Sequence, residues 1–219
     1  VLNAATTSPI WAQAGINASS TSRFTDLSTV GILSFATTSN NASSTLIRFN
    51  GFSFITASST ADNTSVGEGA LLNVSRGLAN TAFGTFALSS ATSGSANIAI
   101  GRSVLTANTF GSYNTVVGTD ALTSNEGSEN TVVGYNAMDD SITGSGNTVF
   151  GAYAGMGMLG NYNLLLGYGA AQNLENGTNN IAIGNSIDFA NSNGSNQLNI
   201  GNLLFGTGVD GTGTTVSSG

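Results

Sequence analysis

One pattern constrains this chain more than any other: an asparagine, three residues of mostly apolar or Thr character, then a glycine, recurring in fixed register. It reads NTSVG at Asn63 to Gly67, NTAFG ending at Gly84, NIAIG at Gly101, NTVVG at Gly118 and at Gly134, and NTVFG at Gly151. NLLLG ends at Gly167, NIAIG at Gly184, and a stretched copy, NQLNIG, at Gly201. Successive glycines are 17, 17, 17, 16, 17, 16, 17 and 17 residues apart. Three residues after each of the first eight glycines stands Ala70, Ala87, Val104, Ala121, Ala137, Ala154, Ala170 or Ile187. Leu71, Leu88, Leu105, Leu122 and Met138 come next in the first five units. A polar stretch then leads to the next Asn.

A period of 16 or 17 is too short for the helix-pair solenoids, and the β-branched residues and glycines disfavour helix. The spacing predicts an all-β parallel solenoid, one coil per repeat with two short strands, and coils stacked about 4.8 Å apart. Gly67, Gly84, Gly101, Gly118, Gly134, Gly151, Gly167, Gly184 and Gly201 are expected at coil corners, where a positive φ or a close backbone approach excludes a side chain. The preceding Asn is read as a turn residue bonding to neighbouring backbone.

Alternation along the strand separates two faces. The residue before each glycine is always apolar: Val66, Phe83, Ile100, Val117, Val133, Phe150, Leu166, Ile183 and Ile200. This is the expected core column, sharing its face with the Thr or aliphatic residue two places earlier. The intervening column, Ala82, Ala99, Val116, Val132, Val149, Leu165 and Ala182, points the other way and is also apolar. A thin roll has one interior, so the second apolar face needs a cover, and an identical chain is the simplest one.

Composition removes whole chemistries. The chain has no His, no Cys and no Lys; its cations are Arg23, Arg48, Arg76 and Arg102, against 11 acidic residues and a net charge of −7. No Ser-His or Cys-His nucleophile pair can be assembled, no Cys/His zinc site, no Walker lysine. Neither nucleic acid nor an anionic membrane is an expected partner, and the short apolar runs do not span a bilayer. The reading is therefore of a non-enzyme without catalytic residues, cofactor or metal. The chain opens at Val1 with neither Met nor a signal peptide, which suggests a processed protein or an excerpt.

Blocks such as NTAFGTFALSSATSGSANIAIG and NTVVGTDALTSNEGSENTVVG resemble the head repeats of YadA-like trimeric autotransporter adhesins, and are similar to repeats in phage tail fibres and large bacterial surface proteins. The resemblance covers about Asn63 to Phe205. It implies a left-handed parallel β-roll, three chains about a common axis, and an adhesive or fibre-building role on a cell surface or virion, outside the cell. A host-surface or glycan receptor is the further partner it implies. Membrane-anchor barrel, coiled-coil heptads and a basic neck are missing from this sequence.

Residues 1–60 depart from the repeat and are read as a β shaft or cap, and 61–205 as about nine head-type coils. Residues 206–219 are read as a Gly/Thr/Ser linker, or as a strand completed by a further segment of a longer protein. Within the first part, Phe24 to Phe35 reads as a strand region. TLIRFNGFSFIT (45–56) reads as a hairpin about Asn50-Gly51, with Ile47 and Phe49 facing Phe54 and Phe52. A filament of such subunits would make its axial contacts, head to tail, at the two ends.

Two stretches, Gly155 to Gly160 and Gly206 to Gly211, match G-x-G-x-x-G but lack the strand–helix context of a dinucleotide site, and are read as turns. Glu126, Glu129, Asp139 and Asp140 sit in loops of consecutive coils; a Ca²⁺ site or glycosidase pair is set against a solvated acidic rim, which is preferred because calcium-loop spacing is absent. A broken Thr column invokes ice binding and is discounted. The leading function is a structural or adhesive fibre module. The alternative is a polysaccharide-binding or polysaccharide-degrading tailspike, for which Tyr135, Tyr153 and Tyr168 occupy neighbouring offsets on successive coils.

Overall fold

A computed structural model describes residues 44–49, 52–58, 61–207 and 215–217, all within one compact unit, Ala36–Gly219. The expected strand region at 24–35 and the Asn50-Gly51 turn lie outside the described residues. Among those residues the protein is all-β, without a helix: thirteen strands form one sheet in strict chain order. The hairpin β1 (Ser44–Phe49) and β2 (Phe52–Ser58) comes first. Next are β3 (Asn63–Val66), β4 (Thr81–Phe83), β5 (Ile98–Ile100), β6 (Thr115–Val117), β7 (Thr131–Val133), β8 (Thr148–Phe150), β9 (Leu164–Leu166), β10 (Ile181–Ile183) and β11 (Gln197–Ile200). Last come β12 (Leu204–Thr207) and β13 (Thr215–Ser217).

Strands β3 to β11 pair in parallel, each repeat directly above its predecessor: Thr64 beside Thr81, Thr81 beside Ile98, and so on to Ile181 beside Leu198. Each coil closes on itself and presents the same strand to the next, the architecture of a β-solenoid. Antiparallel strands lie on both ends of this parallel block, β2 on β3 and β12 on β11. In the hairpin, Phe49 pairs with Phe52 as expected, but the register shifts between Ile47 and Arg48, so Ile47 pairs with Ile55 rather than Phe54. Pairing also passes the boundary at 205, since β12 runs across it and β13 lies in the stretch read as a linker.

Only one strand forms per coil. The second apolar stretch holds two residues in the left-handed region, for example Phe86 (φ 58°) and Leu88 (φ 50°), and Ser103 (φ 54°) and Leu105 (φ 50°). An extended run cannot contain that alternation. The stretch still stacks coil on coil, as in Leu71 N–H to Ala87 O at 3.0 Å and Leu88 N–H to Val104 O at 2.9 Å.

The interior is the opposite face from the one expected. The middle column of the strand is buried, from Ala82 and Ala99 through Val116, Val132 and Val149 to Leu165 and Ala182. Val66, Phe83, Ile100, Val117, Val133, Phe150, Leu166, Ile183 and Ile200 are not the core of the coil: none is buried, and Phe83 is 56% exposed. The reason is width. Ala87, Val104 and Ala121, with Leu88, Leu105 and Leu122, come in from the opposite wall, all fully buried. Little space is left facing them. Where the middle column is largest, at Leu165, the opposite wall shrinks to Gly155 and Ala171; a Cβ on Gly155 would stand 2.8 Å from a Leu165 methyl. Packing at close to crystal density enforces such compensation. A third buried column, Ala91, Asn108, Asn125, Ser141, Met158 and Leu174, completes the interior.

Candidate functional site

Two features of the solenoid have the regularity expected of a working surface: the asparagine ladder and the outward face of the parallel strands. The asparagines lie inside. Asn80, Asn97, Asn114, Asn130, Asn147 and Asn180 are fully buried, and Asn63 and Asn163 nearly so. Asn shares strand parity with the middle column two residues on, which turns its side chain inward. Each Oδ1 accepts the backbone N–H of the ladder residue one coil later, as from Asn97 to Asn80 at 3.0 Å, from Asn147 to Asn130 at 2.9 Å and, at the last rung, from Gln197 to Asn180 at 2.8 Å. Each Nδ2 donates to a glycine carbonyl in the next turn, as Asn80 to Gly94 at 2.8 Å and Asn147 to Gly160 at 3.0 Å. Both ends of every amide are occupied, so the ladder has no capacity for a ligand. It supports the corner that begins each strand.

Those acceptor glycines form a second column that sequence reasoning missed: Gly77, Gly94, Gly111, Gly127, Gly144, Gly160, Gly177 and Gly194. Each but the last stands three residues before a ladder Asn, and Gly194 before Gln197. The signal was present as G-x-x-N-x-x-x-G. The corner glycines themselves have φ between +123° and +151° from Gly67 to Gly184, while Gly201 has φ +57°. A Cβ on Gly67 would lie 2.7 Å from the Gly84 carbonyl, so the stacking of one corner on the next requires glycine.

The outward face carries two columns over nine strands. One is the set that ends each strand, from Val66 to Ile200. The other is Thr64, Thr81, Ile98, Thr115, Thr131, Thr148, Leu164, Ile181 and Leu198, none of it buried. Ile98, Ile100, Phe150, Leu164 and Leu166 are each at least 36% exposed. At about 4.8 Å per strand the stripe is roughly 40 Å long, and at about 10 Å width it covers roughly 400 Å². That already matches the largest apolar patch an ordinary monomer shows. No protein-family model matches this chain, nor does any curated protein or solved structure.

The acidic residues do not come together as the loop stacking suggested. Asp139 accepts a bond from Thr123 Oγ1 and one from its neighbour Asp140 N–H. Glu126 Oε2 instead accepts the Phe110 N–H at 3.0 Å, and Glu129, exposed, occupies the left-handed position before Asn130. Among the described residues no three carboxylates are grouped as metal ligands would be. The first G-x-G-x-x-G stretch supplies left-handed turns at Gly155 and Gly157 and the stacked Gly160. The second continues from β12 past the described residues.

Past the glycine corner the tyrosines do gather. Tyr135 and Tyr153 meet edge to face with centroids 5.2 Å apart, and Tyr153 and Tyr168 at 5.6 Å. Partial desolvation, then the Tyr135 and Tyr168 phenols, raises the Tyr153 pKa above the usual phenol value.

Proposed function

We propose that this chain is a structural and adhesive module of a trimeric extracellular fibre, built as a left-handed β-roll. The observation that carries the reading is the outward apolar stripe beside the Thr column. An isolated coil stack has filled its interior with the middle column and left a second apolar face in water. Three copies packed about an axis parallel to the stack would cover that face along its whole length, and a row of identical strands repeats the same contact at every rung. Each aliphatic side chain transferred from water contributes about 1.5–3 kcal/mol when fully buried, so several rungs outweigh the cost of association. The likeness of the repeats to YadA-like heads supports both the number of chains and the adhesive role. A host-surface or glycan receptor would meet the sides and loops that remain outside the interface.

The test is a pair of outward charges, Ile100→Asp with Val133→Asp, followed by sedimentation velocity and circular dichroism. The expected result is a wild type of three chains and a variant of one, with β signal retained. A variant that keeps the wild-type mass would refute the assignment of this face.

A further inference from the structure

The tyrosine row follows the glycine corners rather than lying on the parallel strands, and nothing in the proposed function uses it. We infer that Tyr135, Tyr153 and Tyr168 form a site of oxidative phenol coupling, at which a peroxide-driven one-electron oxidant joins neighbouring coils through a dityrosine bond.

The geometry is specific to these three. Tyr153 donates its backbone N–H to the Tyr135 carbonyl at 2.9 Å, which places it on the next coil one position along from Tyr135, with Asn136 as its direct neighbour, and the two rings meet diagonally across the rung. Their rings are in contact, and Tyr168 continues the row one coil further. Tyr135 is 47% exposed and Tyr168 55%, so an oxidant reaches the phenols and the rings have room to turn. The edge-to-face arrangement brings the rim of one ring, where the ortho carbons lie, against its neighbour. The other two described tyrosines are a built-in control. Tyr113 and Tyr162 both precede a ladder Asn but stand three coils apart, with Glu129 and Gly146 between them in that column. Three rungs are about 14 Å, beyond ring contact. The chain has no cysteine, so no disulfide can join its coils.

The step balances. Each phenol gives up one electron and one proton to become a phenoxyl radical. The two radicals form a carbon–carbon bond between ortho positions, and each ring returns its displaced ortho hydrogen to oxygen as it regains aromaticity. The pair loses two hydrogens in total, and hydrogen peroxide, acting through a haem peroxidase, takes the two electrons and two protons to give two waters. The product closes a covalent loop across one rung, restricting the unfolded chain as a disulfide does.

The test treats the folded chain with peroxidase and limiting hydrogen peroxide, follows dityrosine fluorescence, and maps linked peptides by mass spectrometry. The expected links are Tyr135 with Tyr153 and Tyr153 with Tyr168, within one chain, each with the loss of two hydrogens. Their yield should fall at least fivefold in denaturant. Tyr153→Phe, which preserves ring packing, should abolish both links, whereas Tyr113→Phe leaves them unchanged. Absence of dityrosine, equal yield from the unfolded chain, or links that involve Tyr113 and Tyr162 as often as the row would overturn the inference. So would links found only between chains. The expected links lie within one chain and form whether or not chains associate, so the two proposals fail separately.

Discussion

Replacing Asn147 by alanine removes one rung of the interior amide ladder. In the native coil its Oδ1 accepts from the Asn163 backbone N–H at 2.9 Å and from Asn163 Nδ2 at 3.1 Å, while its Nδ2 donates to Gly160 O at 3.0 Å and to Asn130 Oδ1 at 3.2 Å. Alanine leaves the Asn163 N–H and the Gly160 carbonyl without these partners, and Asn163 and Gly160 are both buried. Each orphaned buried group costs about 1–3 kcal/mol. The two together give a loss of about 4 kcal/mol, or a fall in Tm on the order of 10 °C for a chain of this length. Asn185→Ala, at an exposed site outside the ladder, should change stability by under about 0.5 kcal/mol. Urea unfolding measures both, and amide hydrogen exchange at Asn163 reads the rung directly, because its protection should collapse before that of distant coils. A loss below about 1 kcal/mol with Asn163 still protected would refute the claim that the ladder holds the corners together.

Other expectations rest on the same geometry. Asn147→Asp buries a carboxyl whose folded pKa is raised by desolvation, so stability should be highest below the unfolded carboxyl pKa and fall as pH rises through the folded one; urea midpoints across pH give the sign. Gly134→Ala adds a Cβ 2.6 Å from the Gly151 carbonyl carbon at φ +151°, and should cost more than about 3 kcal/mol. Gly157→Ala, at φ +69° with nothing within 4 Å, should cost only about 1 kcal/mol; thermal melts of the pair compare them. Ala79→Gly should stabilise by about 0.5 kcal/mol, because Ala79 holds φ 57° on the exposed side of a coil and relief of that strain exceeds the added chain entropy; a thermal melt reads the gain. Leu122→Ala should cost about 2–5 kcal/mol as a cavity in the filled interior, against almost nothing for Leu72→Ala at 66% exposure, by urea denaturation.

The coil was legible in the sequence because Asn and Gly occupy positions where few other residues serve, so their spacing gave the rung length directly. Which face lay inside was harder. Alternation alone offers two apolar columns, and Phe83, Phe150 and Leu166 look more like core than Ala82, Val149 or Ala99. Two signals in the chain decide it: the Asn shares parity with the smaller column, and Leu165 grows where Gly155 replaces a leucine. The left-handed turns were illegible for a different reason. Leu88, Leu105, Phe86 and Ala96 carry positive φ, a conformation their side chains do not advertise; the stacking of identical coils imposes it. The tyrosine row was visible as neighbouring offsets, but ring contact depended on which coil sides stack.

The most direct test of the account is the mass of the unmodified chain by native mass spectrometry. Three copies are predicted, with the outward columns from Val66 to Ile200 protected from solvent labelling. A stable, soluble single chain with those side chains labelled would contradict it.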